Sequence, residues 1–562
     1  MNGGVPRTAL VGAWLLAFGL FLAVAHGNFE TTDAGFTMHA ARALWVRGDS
    51  GLLREDQGGE LLGERLGAAY IHHWQAQGAR RSGKVGTNGR AYVWYPIGHV
   101  WLLAPLCALG DRLTQAFPGA DAAFRERVAP GWPEAALASN TSWVEGHPVL
   151  TQGLISLLVP PACGATILLL LVLLARQFGA RGADAAWPAV AIVAATQCFA
   201  LGREQLSDGP GLVLLLGALL AVVIVHHGRG TAVTACLGGV MAAAAVLLRY
   251  QNALTVAALA VALGHACHRQ RRWPDFGWFV LGGLPLLVLF LATNHARFGS
   301  VFDTGYPEAG DWFDQPVWQG GWKLLFGAGR GVLWLSPIAW FGLVLCSRRA
   351  VPALRWLAAL VLAMPWLLFS TAQGWQGGQC WGARYLTHGL VALLAIALPQ
   401  ARPWRRWPRL WWLAFALGLF VAATSVIAPV RGVLQLSTQA VAAAGLPGDP
   451  ADVTGWRPRF TPLLANWRYA AACWRGDFET ADGHPRHGSA HTIEALFGVA
   501  AQDPAQALAP VRWEDRQGRH LWWRFWSDLL GVSAVWLLLP VAVLLAAGGL
   551  LLRRASGFAA SR

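Results

Sequence analysis

The sequence predicts an all-α polytopic membrane protein with about twelve transmembrane helices, and three observations carry that prediction. Of its 562 residues, 55% are hydrophobic and only 13% are charged, roughly half the charge density of an ordinary globular chain. Apolar stretches near twenty residues recur along it, the length that crosses a hydrocarbon core at ~1.5 Å per residue. Arginine is concentrated in alternate connections between those stretches. The same figures exclude a disordered chain. A formal net charge of +14 invites a nucleic-acid reading, but Lys84 and Lys323 are the only lysines and no basic run is long enough to follow a phosphate backbone.

Taken in order, the expected spans are 8–26, 151–175, 187–202, 210–226, 231–248, 253–267, 277–292, 331–346, 354–369, 386–399, 410–428 and 529–552. The first could be a signal peptide, yet its apolar run is long and no small-x-small cleavage site precedes Asn28, so it reads as an uncleaved helix. Orientation follows from the positive-inside rule. Arg176 and Arg181, Arg229, Arg269 with Arg271 and Arg272, Arg348 with Arg349 and Arg355, the run from Arg402 to Arg409, and Arg553-Arg554 all fall in alternate connections. Placing them in the cytoplasm puts both termini inside a cell (inner) membrane and leaves 27–150, 203–209, 293–330, 370–385 and 429–528 outside. Nearly all of the net charge then lies on the cytoplasmic face, so the basic balance is a topology signal.

Chemistry is expected in the outer segments. The first is far longer than an ordinary connection. Its part 92–110 is apolar enough to cross, but a crossing there would reverse every later arginine cluster, so it is expected to lie at the interface. After Asp33, apolar residues at Phe36, Ala40 and Leu44 with Arg42 and Arg47 off that stripe predict an amphipathic helix on the membrane surface. Glu30 and Asp33 stand at its N-terminus, where a simple capping role competes with a functional one. Glu204 and Asp208 emerge on the same side after the third span, and Asp208 could equally cap the next helix. A carboxylate there can serve as general base for an acceptor hydroxyl, and a nearby cation can stabilise a phosphate leaving group. Arg297, Arg330 and Arg384 lie in outer segments rich in Gly, Trp and Tyr, including Tyr385. Glycine admits close backbone approach, aromatic faces suit sugar rings, and arginine grips phosphate through two hydrogen bonds. For each arginine alone, contact with lipid headgroups is a competing reading.

The order of these features resembles the GT-C membrane glycosyltransferases, specifically the bacterial relatives of dolichyl-phosphate-mannose protein mannosyltransferases and of the lipid A aminoarabinose transferase. The resemblance rests on Asp33 followed by His39-Ala-Ala-Arg-Ala-Leu and Gly48, the Tyr-x-x-Tyr-Pro-x-Gly segment from Tyr92 to Gly98, and Asp208-Gly-Pro. It continues through Arg297 to Tyr306, Gly329 to Pro337, and Trp-Gly-x-Arg-Tyr-Leu from Trp381 to Leu386. It spans residues 8–400. It implies inverting transfer of a sugar from a polyprenyl-phosphate-linked donor to a glycan, lipid or protein acceptor on the outer face. Asp33 would be the catalytic base and Asp208 a second acid orienting the acceptor or a divalent cation, Mg or Mn. Substrate and phosphate contacts would fall to Glu30, Arg90, Tyr95, His99, Glu204, Arg297, Arg330, Arg384 and Tyr385. The lysine that often follows the first motif has no clear counterpart, and Arg90, Lys84 and His99 are the candidates to replace it. On this reading 1–428 is the catalytic module with its long outer loop 27–150, 429–528 is an outer segment of undefined fold, and 529–562 is the last helix with a basic tail.

Two other classes compete. A secondary transporter shares the composition and the arginine asymmetry, but transporters place ionisable groups near the membrane midplane. A non-catalytic lipid-carrier-binding protein is the third. His484, His487 and His491 have no clear fourth ligand and are interrupted by Pro485, so they read as a polar loop. Cys380 and Cys473 could pair, but two residues establish no pattern.

Overall fold

A computed structural model describes residues 6–27, 29, 31–128, 148–349, 352–375, 377, 381–428, 430–447, 453–454, 457–475, 494, 496–499 and 520–560. The expected class is what it has: an all-α polytopic membrane protein whose described strands form a single two-stranded sheet. Five helices are long and apolar enough to cross a membrane: Val149–Gln177, Asp208–His226, Trp273–Phe298, Pro408–Ile427 and Ala534–Arg554. Arg7–Ala23, Ala183–Ala194, Ala232–Leu248 and Leu354–Ser370 are shorter apolar helices.

In chain order the helices are α1 (Arg7–Ala23), α2 (Thr32–Arg47), α3 (Leu62–Ala76), α4 (Ile97–Ala116), α5 (Gly119–Val128), α6 (Val149–Gln177), α7 (Ala183–Ala194), α8 (Asp208–His226), α9 (Ala232–Leu248), α10 (Asn252–Gln270) and α11 (Trp273–Phe298). They continue with α12 (Val317–Phe326), α13 (Ala339–Arg349), α14 (Pro352–Ser370), α15 (Arg384–Ala401), α16 (Pro408–Ile427), α17 (Val430–Ala443), α18 (Pro462–Arg475), α19 (Trp522–Leu530) and α20 (Ala534–Ala560). Every expected span contains helix, but three are interrupted. The 187–202 stretch ends α7 at Ala194 and resumes as a turn at Cys198–Leu201. The 331–346 stretch breaks between Val332–Leu335 and α13, where Pro337 lacks the amide proton a continuous helix needs. The 529–552 stretch is split at Gly531, whose φ of +69° ends α19 in the left-handed region.

The backbones of α9 and α11 come close because glycines meet there. A Cβ on Gly239 would lie 1.8 Å from the Phe279 carbonyl oxygen, and one on Gly282 would lie 2.2 Å from that of Cys236. Small residues at such a crossing are how helices pack where lipid removes the hydrophobic drive. Gly12 of α1 and Gly548 of α20 face each other in the same way, each leaving under 3 Å for an added Cβ.

Two features of the first long loop place the site. The Phe29 amide donates to Gln152 Oε1 at 3.4 Å, so the chain leaves α1 and enters α6 at the same end of the bundle. Between them α4 runs across that end, with Gly98 against Leu247 at the close of α9 and Gly110 against Thr151 in the first turn of α6. Helix α2 differs from its expectation. Instead of resting one stripe on the membrane, it is buried on most faces: Phe36, Met38, His39, Ala40, Ala41 and Ala43 are all enclosed, while Trp45 and Val46 remain exposed. Its small alanines admit neighbours on sides that a stripe of larger residues would not account for. The hairpin of β1 (Gly83–Val85) and β2 (Ala91–Val93) pairs Lys84 opposite Tyr92. It is tied to the end of α11 by Arg297, whose Nη2 donates to the Val93 carbonyl at 2.6 Å and whose own carbonyl accepts from the Thr87 amide at 3.1 Å.

Candidate active site

Asp33 lies in the first turn of α2, and the cap of that helix is another residue. Thr31 Oγ1 accepts the Ala34 amide at 3.2 Å, which leaves the Asp33 carboxylate for other partners. Tyr95 donates its hydroxyl to Asp33 Oδ1 at 2.7 Å. Pro96, following Tyr95, keeps the helix from starting earlier than Ile97, so Tyr95 stays at the mouth of α4. Burial, and then the nearby Asp33 carboxylate, hold the Tyr95 phenol well above its ordinary pKa, so it acts as a donor.

Asp208 opens α8, where the helix dipole favours an acid. Its carboxylate is not a cap either. Oδ2 accepts from Arg249 Nη1 and from Arg384 Nε, both at 2.8 Å. Arg384 then reaches on, its Nη1 3.3 Å from Asp33 Oδ2. A cation at the N-terminus of a helix, as Arg384 is on α15, works against the dipole. The two carboxylates offset that conflict and fix the guanidinium between them. Asp33 keeps 29% of its side-chain surface exposed and Asp208 keeps 0%. The first is therefore open to an incoming reactant, and the second is an anchor for two arginines.

His388 supports Asp208 from behind, with one ring nitrogen 2.9 Å from the Asp208 carbonyl and the other 2.7 Å from Asn252 Oδ1. Glu204, buried in the loop ahead of α8, is pushed up to about 7, chiefly by burial and further by Asp208, with Arg384 pulling the other way. His99 on α4 is pushed down to about 4 by burial, with Asp208 opposing and Arg249 and Arg384 adding to the depression. Arg249, just past α9, is lowered by burial against the pull of Asp208; its Nε and Nη2 are enclosed with no hydrogen-bond partner among the described residues.

Aromatic rings line one side. Trp94 stacks on Tyr306 at 5.2 Å, Trp312 meets Trp94 edge-on at 6.1 Å, and Tyr250 meets Tyr306 at 5.9 Å. Tyr385, beside Arg384, stacks on Phe369 at 4.0 Å.

Of the residues singled out from sequence, Asp33, Tyr95, Asp208 and Arg384 are joined by direct hydrogen bonds, and Glu204 and His99 lie within the same electrostatic field. The hydrogen bonds to Asp33 and Asp208 do not come from Arg297 or Arg330. Arg297 sits over the Tyr92 ring at 4.8 Å, and Arg330 is buried in the turn ahead of Val332–Leu335. Arg90 pairs with Asp49 at 2.5 Å, and Lys84 pairs with Asp303. Glu30, Cys380 and the three histidines at 484, 487 and 491 lie outside the described residues. Arg249 was not among the expected residues. Its signal was an arginine in a four-residue connection between two apolar spans.

No group of three or more His, Cys, Asp or Glu side chains able to hold a metal ion occurs among the described residues. Asp208 Oδ2 already lies between two guanidinium groups, whose charge repels a divalent cation. Among the described residues, Asp208 is thus not placed to hold Mg or Mn.

No protein-family model matches the chain, and no curated protein matches it. Among solved structures, ArnT from Cupriavidus metallidurans in the apo state is similar to it, with 14% identity, a TM-score of 0.43, 96% of this chain covered and 76% of that one. The same figures hold for ArnT from Cupriavidus metallidurans bound to undecaprenyl phosphate. With so few residues shared, the chemistry below is taken from this chain's own side chains.

Proposed function

We propose that the protein is an inverting glycosyltransferase that moves a sugar from a polyprenyl-phosphate-linked donor to a hydroxyl of a glycan, lipid or protein acceptor at the outer face of the membrane. The observation that carries this reading is the bridge of Arg384 between an accessible Asp33 and a buried Asp208. Asp33 takes the proton of the acceptor hydroxyl as that oxygen bonds to the anomeric carbon. The bond from that carbon to the phosphate oxygen breaks, and its electron pair leaves with the polyprenyl phosphate. Arg249 and Arg384 are placed to take up the negative charge of the leaving phosphate, the role in which preorganised cations contribute most. Asp208 positions both arginines, and the ring faces of Trp94 and Tyr306 offer apolar surfaces to a sugar or to the first isoprene units. The arginine-rich connections at the opposite end of the bundle support an outer-face site.

The test is incubation of the purified protein with labelled polyprenyl-phosphate sugars and membrane extracts. Asp33→Asn is expected to abolish transfer while leaving the elution profile and thermal transition unchanged. Near-normal transfer by that variant removes Asp33 as the base.

A further inference from the structure

A recess lies beside the aromatic wall and takes no part in the chemistry above. It is a pocket of about 240 Å³ whose polar lining is Gln315, Gln319, Lys323 and Gln373, with Trp375. Gln319 and Lys323 stand one turn apart on α12, and Gln315 lies just ahead of that helix. The facing wall is the segment that follows α14. Backbone contacts lock the two walls together: the Gln315 amide donates to the Thr371 carbonyl and the Gln373 amide to the Trp312 carbonyl, both at 2.9 Å. Gly320 lets α12 close on α14, since a Cβ there would lie 2.3 Å from the Ser370 carbonyl oxygen.

The side chains in this recess are oriented. Asp314 accepts from Gln315 Nε2 at 3.1 Å and from Gln373 Nε2 at 2.9 Å, which turns both amide nitrogens toward it and both amide oxygens away. The Lys323 ammonium lies 5.5 Å from the centre of the Trp375 ring. Amides that can donate and accept suit hydroxyl groups, an ammonium suits an anion, and neither suits an isoprenoid or acyl chain. The volume is below the ~300–1,000 Å³ of a site for a drug-sized ligand, which fits a single sugar ring. Trp312 connects the recess to the reaction centre: its carbonyl holds Gln373, and its ring packs on Trp94, next to Tyr95.

We propose that this recess binds the acceptor away from its reacting hydroxyl, and that the group it takes is a saccharide ring bearing a carboxylate or phosphate. Its assignment to the acceptor rests on the transfer reaction proposed above; binding itself does not. Lys323 supplies the charge recognition, and the glutamines read the hydroxyls.

The experiment is saturation-transfer NMR on the full chain in lipid nanodiscs, without donor, titrated separately with glucose, glucuronic acid, glucose 1-phosphate and inorganic phosphate. Glucuronic acid and glucose 1-phosphate are expected to bind at least tenfold more tightly than glucose. Lys323→Gln should bring them to within about twofold of glucose, Lys323→Arg should keep the preference, and Asp33→Asn should leave all affinities unchanged. Absence of binding, equal binding of charged and neutral sugars, or a preference that survives Lys323→Gln overturns the proposal. Inorganic phosphate displacing glucose 1-phosphate at equal concentration overturns the saccharide part. Retention of transfer by Asp33→Asn overturns the reaction and leaves the binding result standing, so the two failures are distinguishable.

Discussion

The Tyr95 hydroxyl donates to Asp33 Oδ1 at 2.7 Å, across 62 residues of sequence that include a whole hairpin. That bond aims the carboxylate and leaves Oδ2 facing Arg384. Hydrogen bonds to charged groups contribute about 1.5–3 kcal/mol. Tyr95→Phe is therefore expected to lower the turnover number of transfer by roughly tenfold to a hundredfold with little change in thermal stability. Steady-state kinetics with saturating donor checks it, and an unchanged turnover number would show that Asp33 does not depend on Tyr95.

The pair of arginines on Asp208 predicts non-additive stability. With either Arg249→Gln or Arg384→Gln, the buried carboxylate keeps one cation. With both it is uncompensated, and an unpaired buried charge costs about 3–5 kcal/mol. The double variant is expected to lose more than the sum of the singles in thermal unfolding, and adding Asp208→Asn should restore most of that loss. Strict additivity would mean that the two arginines are not coupled through Asp208.

Glu204 and His99 give opposing pH dependences. Glu204, raised to about 7, binds its proton more tightly in the folded state, so its contribution to stability is full below about 4.5 and is lost as pH rises toward 7. His99, depressed to about 4, contributes stability above about 6.5 that is lost as pH falls toward 4. Between about 4.5 and 6.5 the two slopes cancel. Glu204→Gln should expose a stability that rises with pH there, and His99→Gln one that falls. Denaturant midpoints across that range, compared with the parent protein, measure each difference, and parallel curves would refute the assignment.

Gly239→Ala should separate α9 from α11, because its methyl group has no room beside the Phe279 carbonyl. Overpacking of this kind costs about 1–3 kcal/mol. Gly264→Ala is the control, its nearest neighbour being a Phe276 ring carbon at 3.5 Å. An equal thermal midpoint for the two variants would show that the crossing is not close-packed.

Asp33, Asp208 and Arg384 were legible in the sequence because each sits at the edge of an apolar run, where a charged residue stands out. Arg249 sits at such an edge too, but its connection is only four residues long and drew no attention beside the longer outer loops. The break at Pro337 was visible as a proline, yet the apolar residues on both sides made 331–346 resemble one span. The burial of α2 was hidden for a different reason. Periodicity reports the face of Phe36, Ala40 and Leu44, and Ala34, Ala41 and Ala43 admit close neighbours without contributing to that signal. The hairpin from Gly83 to Val93 rests on three residues per strand, too few for an alternation to be read.

The packing of α1 on α20 bears on how the protein is made. Trp522 Nε1 donates to the Leu22 carbonyl across 500 residues, and Trp523 Nε1 does the same to the Ala23 carbonyl. Helix α1 emerges from the ribosome long before the partner that covers Gly12 exists, so it must wait in the bilayer with a bare glycine groove. Ribosomes stalled ahead of residue 520 would hold a chain in which Asp33, Asp208, Arg249 and Arg384 are all synthesised but whose first helix is still unclasped. Closure of the bundle is thus an event of late biosynthesis, and a lesion in the Trp522-Trp523 pair would be felt at the opposite end of the chain.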